Sequence, residues 1–160
     1  MHPQRIQLLQ NMPIFGAISA PTLEFLLAHA QPMHLPAGGG FFEQGDSATG
    51  MFVLERGQVA ITRHWQGRTV ALSTLGPGDC FGEMALMDLH PRSASAHALD
   101  DCEAIQILPD TLYALFEQDC TQFALIQMNM GREVCRRLRA ADDRLLALQF
   151  AALQAGPAAG

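Results

Sequence analysis

The chain has 160 residues, a length that suits one domain with its own core rather than two. Its 10 Lys and Arg against 16 Asp and Glu give a net charge of −6, which disfavours non-specific contact with the phosphate backbone of nucleic acids. Hydrophobic residues make up 49% of the chain and charged residues 16%, a balance that excludes an intrinsically disordered protein.

Residues 1–30 are predicted to be helical. Ser19 is placed to cap a helix with Pro21 in its first turn, and three leucines would line one face of that helix: Leu23, Leu26 and Leu27. The N-terminus lacks the apolar core of a signal peptide, and no apolar run is long enough to span a bilayer. We therefore expect a cytoplasmic protein without a membrane span.

Residues 31–108 predict short strands separated by turns. Val59 and Ile61 belong to one alternating set, Val70 and Leu72 to a second, and residues 65–67 between them suit a hairpin tip. Glycine-containing turns recur along this zone, at 37–40, 45–46, 56–57 and 76–79. Short strands at this spacing indicate an antiparallel β-roll or jelly-roll barrel, so the predicted fold class is α+β, mainly β.

Residues 109–150 predict C-terminal helices, which complete a single domain over residues 1–150. Pro109 suits the first turn of one helix, and a long helical pattern follows it. Apolar residues recur in the long helix at steps of three or four: Ile126, Met130, Val134, Leu138, Ala141, Leu145 and Leu148. This stripe can lie along its own barrel or pair with a second copy, and the arginines beside it favour a homodimer through this helix. Residues 151–160 are predicted to be a flexible tail.

The densest chemical signal is the segment 81–94, which reads FGEMAL and then, after four residues, PRSA. Gly82 lets the backbone approach a ligand closely, Arg92 offers a planar double donor for a phosphate, and Ser93 adds a hydroxyl. Glu83 suits a ligand hydroxyl, such as a ribose 2′-OH. The segment therefore predicts a small anion site, and the structural alternative is an ion pair between Glu83 and Arg92 that only holds the loop together.

These residues resemble the cyclic nucleotide-binding domain family of catabolite activator proteins and of cAMP-dependent kinase regulatory subunits. The resemblance covers about residues 12–148 and includes, besides the 81–94 segment, the stretches 13–15, 43–46, 52–57 and 78–79. It implies a β-roll in which the 81–94 segment is a phosphate-binding cassette. The residues implied to contact the ligand are Gly82, Glu83, Met84, Ala85, Arg92, Ser93, Ala94, Leu72, Ile61 and Arg137.

The resemblance leaves the contacts to the base open. Ile61 and Leu72 would lie near the ribose and base, but plain barrel core explains each of them equally well. The long helix should cap the base, with Arg137 near the nucleotide. Ala141 and Asp142 stand where the activator has Thr and Ser, so its mode of adenine recognition does not carry over. Ser93 in place of Thr favours cAMP over cGMP by the same analogy.

The function implied is a stand-alone receptor for a cyclic nucleotide, cAMP or alternatively cGMP or another nucleotide, that moves its long helix and signals to an unknown protein partner. About ten residues follow Phe150, too few for a helix-turn-helix, so we expect no direct DNA binding. We expect no enzyme activity, cofactor or metal, because the sequence has no CxxC, HxH or HExxH motif. The alternatives are a degenerate domain that serves as a protein-interaction scaffold, and an enzyme or haem sensor.

Overall fold

The structure, a computed structural model, describes residues 3–156, without the side chains of residues 85 and 86. Helices lie at both ends of the chain, as predicted, and strands with one short helix lie between them. The helices are α1 (Pro3–Gln10), a 3-10 helix (Pro13–Phe15), α2 (Ala20–His29), α3 (Glu83–Asp88), α4 (Pro109–Gln118) and α5 (Cys120–Ala155). The strands are β1 (Gln31–Leu35), β2 (Gly40–Phe42), β3 (Met51–Arg56), β4 (Val59–Trp65), β5 (Arg68–Leu75), β6 (Cys80–Phe81), β7 (Ser95–Ala98) and β8 (Cys102–Ile107).

The N-terminal helices form as predicted. The hydroxyl of Ser19 accepts a hydrogen bond from the backbone N–H of Thr22 and so caps α2. Leu23 and Leu26 are buried on the inner face of α2, and Leu27 is partly buried against the same core. This core joins the N-terminal helices to α4, to the first half of α5 and to one sheet.

The strands form two antiparallel sheets of four strands each, in the orders β1-β8-β3-β6 and β2-β7-β4-β5. The predicted antiparallel β fold is therefore confirmed, with one correction: within residues 3–156 no strand of one sheet pairs with a strand of the other, so the barrel is not closed. The β4–β5 hairpin turns at Gln66 and Gly67, which have φ of 47° and 78°, as the predicted tip requires.

Strand β3 lies between two hydrophobic cores, and it is therefore buried on both faces. Met51 and Val53 face the helical core, whereas Phe52 and Leu54 face a second core between the sheets. Strand β5, by contrast, is an edge strand with nearly every residue exposed. The interpretation of Leu72 as barrel core is therefore wrong, since Leu72 is 45% exposed on this edge.

The first half of α5 is bound to the rest of the domain. Ile126 and Met130 are buried in the helical core. The side-chain amide of Asn129 donates to the carbonyls of Ile14 and Gly16, at 3.1 and 2.8 Å. These contacts fix the direction in which the remainder of the helix leaves the domain.

The second half of α5 is exposed at every residue from Leu138 onward. The predicted apolar stripe is thus divided, since Leu138, Leu145 and Leu148 are 59%, 53% and 70% exposed while the stripe's first members are buried. The helix also continues beyond its predicted end, through residue 155 of the predicted tail, and residues 157–160 lie outside the described part of the chain. No helix in the described part is long and apolar enough to cross a bilayer.

Candidate functional site

A cavity of about 710 Å³ lies between the β4–β5 hairpin, the 81–94 segment and α5. Nine of the ten predicted ligand contacts line it: Ile61, Leu72, Gly82, Glu83, Met84, Arg92, Ser93, Ala94 and Arg137. The side chain of the tenth, Ala85, lies outside the described residues. The structure therefore brings residues from β4, β5, the 81–94 segment and α5 together around one space.

The cavity has further lining residues that sequence reasoning missed: Phe42, Ser73, Thr74, Leu75, Asp79, Phe81, Asp88, His90, Pro91, Arg136, Ala140, Asp143 and Arg144. Ala140 and Arg144 follow Arg137 by three and seven residues, so helical spacing could have found them. Phe42 carried no such signal, because only its place in β2 brings it to the cavity. Ala141 and Asp142, the positions aligned with base contacts, do not line this cavity.

Arg92 is 3% exposed and binds neutral groups. Its Nη1 donates to the carbonyl of Gly82 at 2.7 Å and its Nη2 to the carbonyl of Gly50 at 2.6 Å, while Cζ lies 4.2 Å from the centroid of the Phe42 ring. Its Nε is buried and has no hydrogen-bond partner among the described residues. Burial lowers the pKa of Arg92, as expected for a cation taken out of water.

The alternative of an ion pair between Glu83 and Arg92 is wrong. The ion pairs formed by residues 3–156 do not include Arg92. Arg92 therefore has no direct ion-pair partner among the described residues, although Asp46 and Glu83 act on its charge from a longer distance, and a buried cation of this kind suits an anionic ligand group.

The loop at residues 43–46 holds the backbone of Arg92. The N–H of Arg92 donates to the carbonyl of Asp46, and the N–H of Gly45 donates to the carbonyl of Arg92, both at 2.8 Å. The 43–46 stretch belongs to the family resemblance but had no predicted role. In the structure its two backbone hydrogen bonds fix the position of the Arg92 backbone relative to the cavity.

Glu83 is fully buried, and its partner is Arg137 of α5. Nη1 of Arg137 donates to Glu83 Oε1 at 2.5 Å, its Nη2 donates to the carbonyl of Cys80, and its Nε lies 3.5 Å from Glu133 Oε1. Burial raises the pKa of Glu83 by more than the nearby Arg137 lowers it. Glu83 Oε2 is buried without a hydrogen-bond partner among the described residues. The site thus has an acceptor without a hydrogen-bond partner, Glu83 Oε2, as well as a donor without one, Arg92 Nε.

Burial raises the pKa of the Cys80 thiol to about 12, so this group stays protonated at neutral pH and is a poor nucleophile or metal ligand. Within residues 3–156 no three His, Cys, Asp or Glu side chains are grouped so that they could hold a metal ion.

Comparison with known proteins identifies the family. The profile of the family described as "Cyclic nucleotide-binding domain" matches residues 32–119. The Cyclic AMP receptor protein of Thermus thermophilus is 33% identical over 143 residues, which are 89% of this chain and 64% of that protein. The chain thus spans less than two thirds of this relative's length.

Solved structures agree with this result. The crystal structure of Thermus thermophilus Catabolite Activator Protein matches with a TM-score of 0.75 and 34% identity, over 86% of this chain and 63% of that one. A cyclic nucleotide-binding domain from Methylobacillus flagellatus has the same fold, with a TM-score of 0.80 and 22% identity over 89% of this chain and 80% of that one. The chain belongs to the cyclic nucleotide-binding domain family.

Proposed function

We propose that this protein is a receptor module for a cyclic nucleotide, with cAMP as the first candidate ligand and cGMP as the second. The observation that carries the proposal is that Arg92 and Glu83 line one cavity, and that each has a buried side-chain atom, Nε and Oε2, without a hydrogen-bond partner among the described residues. A cyclic phosphate would supply the missing anion to Arg92, with the hydroxyl of Ser93 as a further donor. A ribose hydroxyl would donate to Glu83 Oε2.

The remaining wall of the cavity suits the rest of a nucleotide. The volume of the cavity, about 710 Å³, lies within the range of small-molecule sites. Leu72 is half-exposed and Ile61 is partly buried, so a sugar and base placed against them would cover apolar surface. The name of the Thermus thermophilus relative, a cyclic AMP receptor, favours adenine as the base.

The proposed signal is a movement of α5. Arg137 links this helix to Glu83, and Glu133 on the same helix competes for the same guanidinium. A ligand hydroxyl on Glu83 would change the balance between the two carboxylates and thereby the preferred position of α5. The ligand can shift this equilibrium only through its different affinity for the two positions.

We also propose a homodimer through α5, in a register that differs from the predicted stripe. Ile126 and Met130 are buried in their own domain and are not available for a second copy. Exposed apolar residues at heptad spacing include Met128 and Cys135 in one row and Leu138 and Leu145 in a neighbouring row. A parallel pair of α5 helices would cover these rows.

The output of the module would be a conformational change presented to a protein partner. The family is described by what it binds and not by a reaction, which supports a module without catalytic activity or cofactor. That the module acts in the cytoplasm, alone and without contact to DNA, stays a prediction from the sequence.

The test of this function is a calorimetric titration of the purified protein with cAMP and then with cGMP, repeated on Arg92→Ala. Removing the guanidinium takes away the partner of a desolvated phosphate, at a cost of ~2–5 kcal/mol, or roughly thirty-fold to several-thousand-fold in affinity. Arg68→Ala is the matched control, because Arg68 is exposed on β5 and lies outside the cavity wall.

Saturable binding that Arg92→Ala loses and Arg68→Ala keeps would support the receptor. Equal affinity of Arg92→Ala and the unaltered protein would refute the proposed site. If the unaltered protein binds neither nucleotide, the alternative hypothesis of a protein-interaction scaffold is favoured.

A further inference from the structure

The ring of Phe42 lies against the guanidinium of Arg92, between the inner core and the cavity. Arg92 Cζ is 4.2 Å from the centroid of the Phe42 ring and 5.9 Å from that of Phe52. The first distance is well within the range of a cation–π contact, and Phe42 also lines the cavity. The attraction between a cation and a ring face is stronger when the cation is out of water. Arg92 is in that condition, since it is 3% exposed.

The ring supplies what the hydrogen bonds of Arg92 do not. The carbonyls of Gly82 and Gly50 accept hydrogen bonds from Nη1 and Nη2, and the central carbon Cζ lies over the face of the Phe42 ring. The close packing of Phe42 and Arg92 leaves no room for a side chain at Gly82. A Cβ there would lie 3.3 Å from Phe42 Cε1 and 2.6 Å from Arg92 Nη1. The guanidinium is therefore in direct contact with three neutral groups, while Asp46 and Glu83 act on it from a longer distance.

Phe42 is itself held by an aromatic cluster. Its ring centroid lies 5.8 Å from that of Phe52 and 6.1 Å from that of Phe81. Its backbone is paired in β2 with Ala96 of β7. Phe41 contacts the same two rings, at 5.4 and 5.0 Å, but among residues 3–156 the rings beneath Arg92 Cζ are those of Phe42 and Phe52.

We propose that Phe42 is a positioning residue for Arg92, whose ring face keeps the buried guanidinium oriented without neutralising it. A carboxylate in the same place would hold Arg92 equally well, but it would compete with the anionic group of the ligand. The ring leaves that charge available. This inference rests on the proposed function, because it assigns Phe42 a role in the affinity for a cyclic phosphate.

The first test compares three variants by their calorimetric affinity for cAMP and by their Tm. Phe42→Leu keeps an apolar side chain without a ring face, so we expect affinity to fall roughly five- to thirty-fold. Phe42→Tyr restores a ring and should bind within about threefold of the unaltered protein. Phe41→Leu is the matched control in the same cluster and should lower Tm while leaving the affinity unchanged.

The second test changes the charge distribution of the ring and little of its shape. Phenylalanines with one, two and three ring fluorines are incorporated at position 42, and we expect affinity to fall stepwise as the ring face loses negative potential. Equal affinity across this series, or the same loss from Phe41→Leu as from Phe42→Leu, would overturn the proposal, since a packing role predicts either result.

A third measurement needs no ligand. The exchange rate of the Arg92 Nε proton, measured by nitrogen-15 NMR in the free protein, should rise in Phe42→Leu and stay low in Phe41→Leu. If the unaltered protein binds neither cAMP nor cGMP, the proposed function fails by itself. A rate unaffected by Phe42→Leu would reject the role of Phe42 whether or not a nucleotide binds.

Discussion

The packing around the Arg92 guanidinium depends on single residues, and Gly82 is the one whose missing side chain lets Arg92 approach the backbone. Gly82 has φ +79°, in the left-handed region that favours glycine. Its carbonyl accepts from Arg92 Nη1, the same atom that a Cβ on Gly82 would meet at 2.6 Å. The residue therefore combines a conformational requirement with a steric one.

Gly82→Ala should displace Arg92 and abolish binding of cAMP in calorimetric titration. The unfolding free energy should fall by about 1–3 kcal/mol because of the left-handed φ. Gly67→Ala is the control, since Gly67 has φ +78° with nothing within 4 Å of the added Cβ. This control should lose stability and keep binding, and retained binding in Gly82→Ala would contradict the close fit.

At the level of elements, α5 has three parts with different roles. Its first part is anchored by Asn129 and by buried apolar side chains, and its last part, from Leu138 onward, is exposed. Arg137 stands at the boundary and makes the link to the 80–83 stretch. We therefore expect a change at Glu83 to reach the exposed part of α5 through Arg137, which contacts that carboxylate.

Arg137→Gln should uncouple α5 from the site. We would attach an environment-sensitive fluorophore to a cysteine introduced by Ala147→Cys, which is exposed on α5 outside the proposed dimer rows, after changing the exposed Cys120 and Cys135 to Ser. Addition of cAMP should alter the fluorescence of the unaltered Arg137 form, and Arg137→Gln should lose at least about half of that change at saturating ligand, because the guanidinium link is gone. Arg139→Gln, also exposed on α5, should keep the change, and an identical response in both variants would reject Arg137 as the link.

On the scale of the whole molecule, the exposed half of α5 carries apolar surface that the domain's own core does not cover. Its leucines at 138, 145, 146, 148 and 153 and Phe150 are each more than half exposed. A pair of parallel helices would remove the 138 and 145 positions from water and would place the two cavities on the outer sides of the pair.

Replacing both Leu138 and Leu145 by Glu should convert the proposed dimer to a monomer, because four carboxylates would meet in the seam. Sedimentation equilibrium would report the mass, with a weakening of association by at least about a hundredfold. Leu99→Glu is the control, as Leu99 is 51% exposed and lies outside α5. A monomeric unaltered protein, or an unchanged mass in the double variant, would argue against the seam.

Several local features of the protein followed from the sequence alone, although the end of α5 did not, since the helix continues to Ala155. The cap at Ser19, the hairpin tip at Gln66 and Gly67 and the helix beginning at Pro109 depend on neighbouring residues, and all three are present. The candidate site in the 81–94 segment could also be predicted from the sequence, because its residue types and their spacing are local.

Tertiary structure alone decided the partners. Sequence spacing suggested Glu83 beside Arg92, but α5 brings Arg137 to Glu83 and β2 brings Phe42 to Arg92. It likewise decided that Ile126 is covered and Leu138 is not, and that the two sheets stay open. The physical reason is the same in each case: periodicity shows that a face is apolar or a residue is charged, whereas its neighbour depends on how distant elements pack.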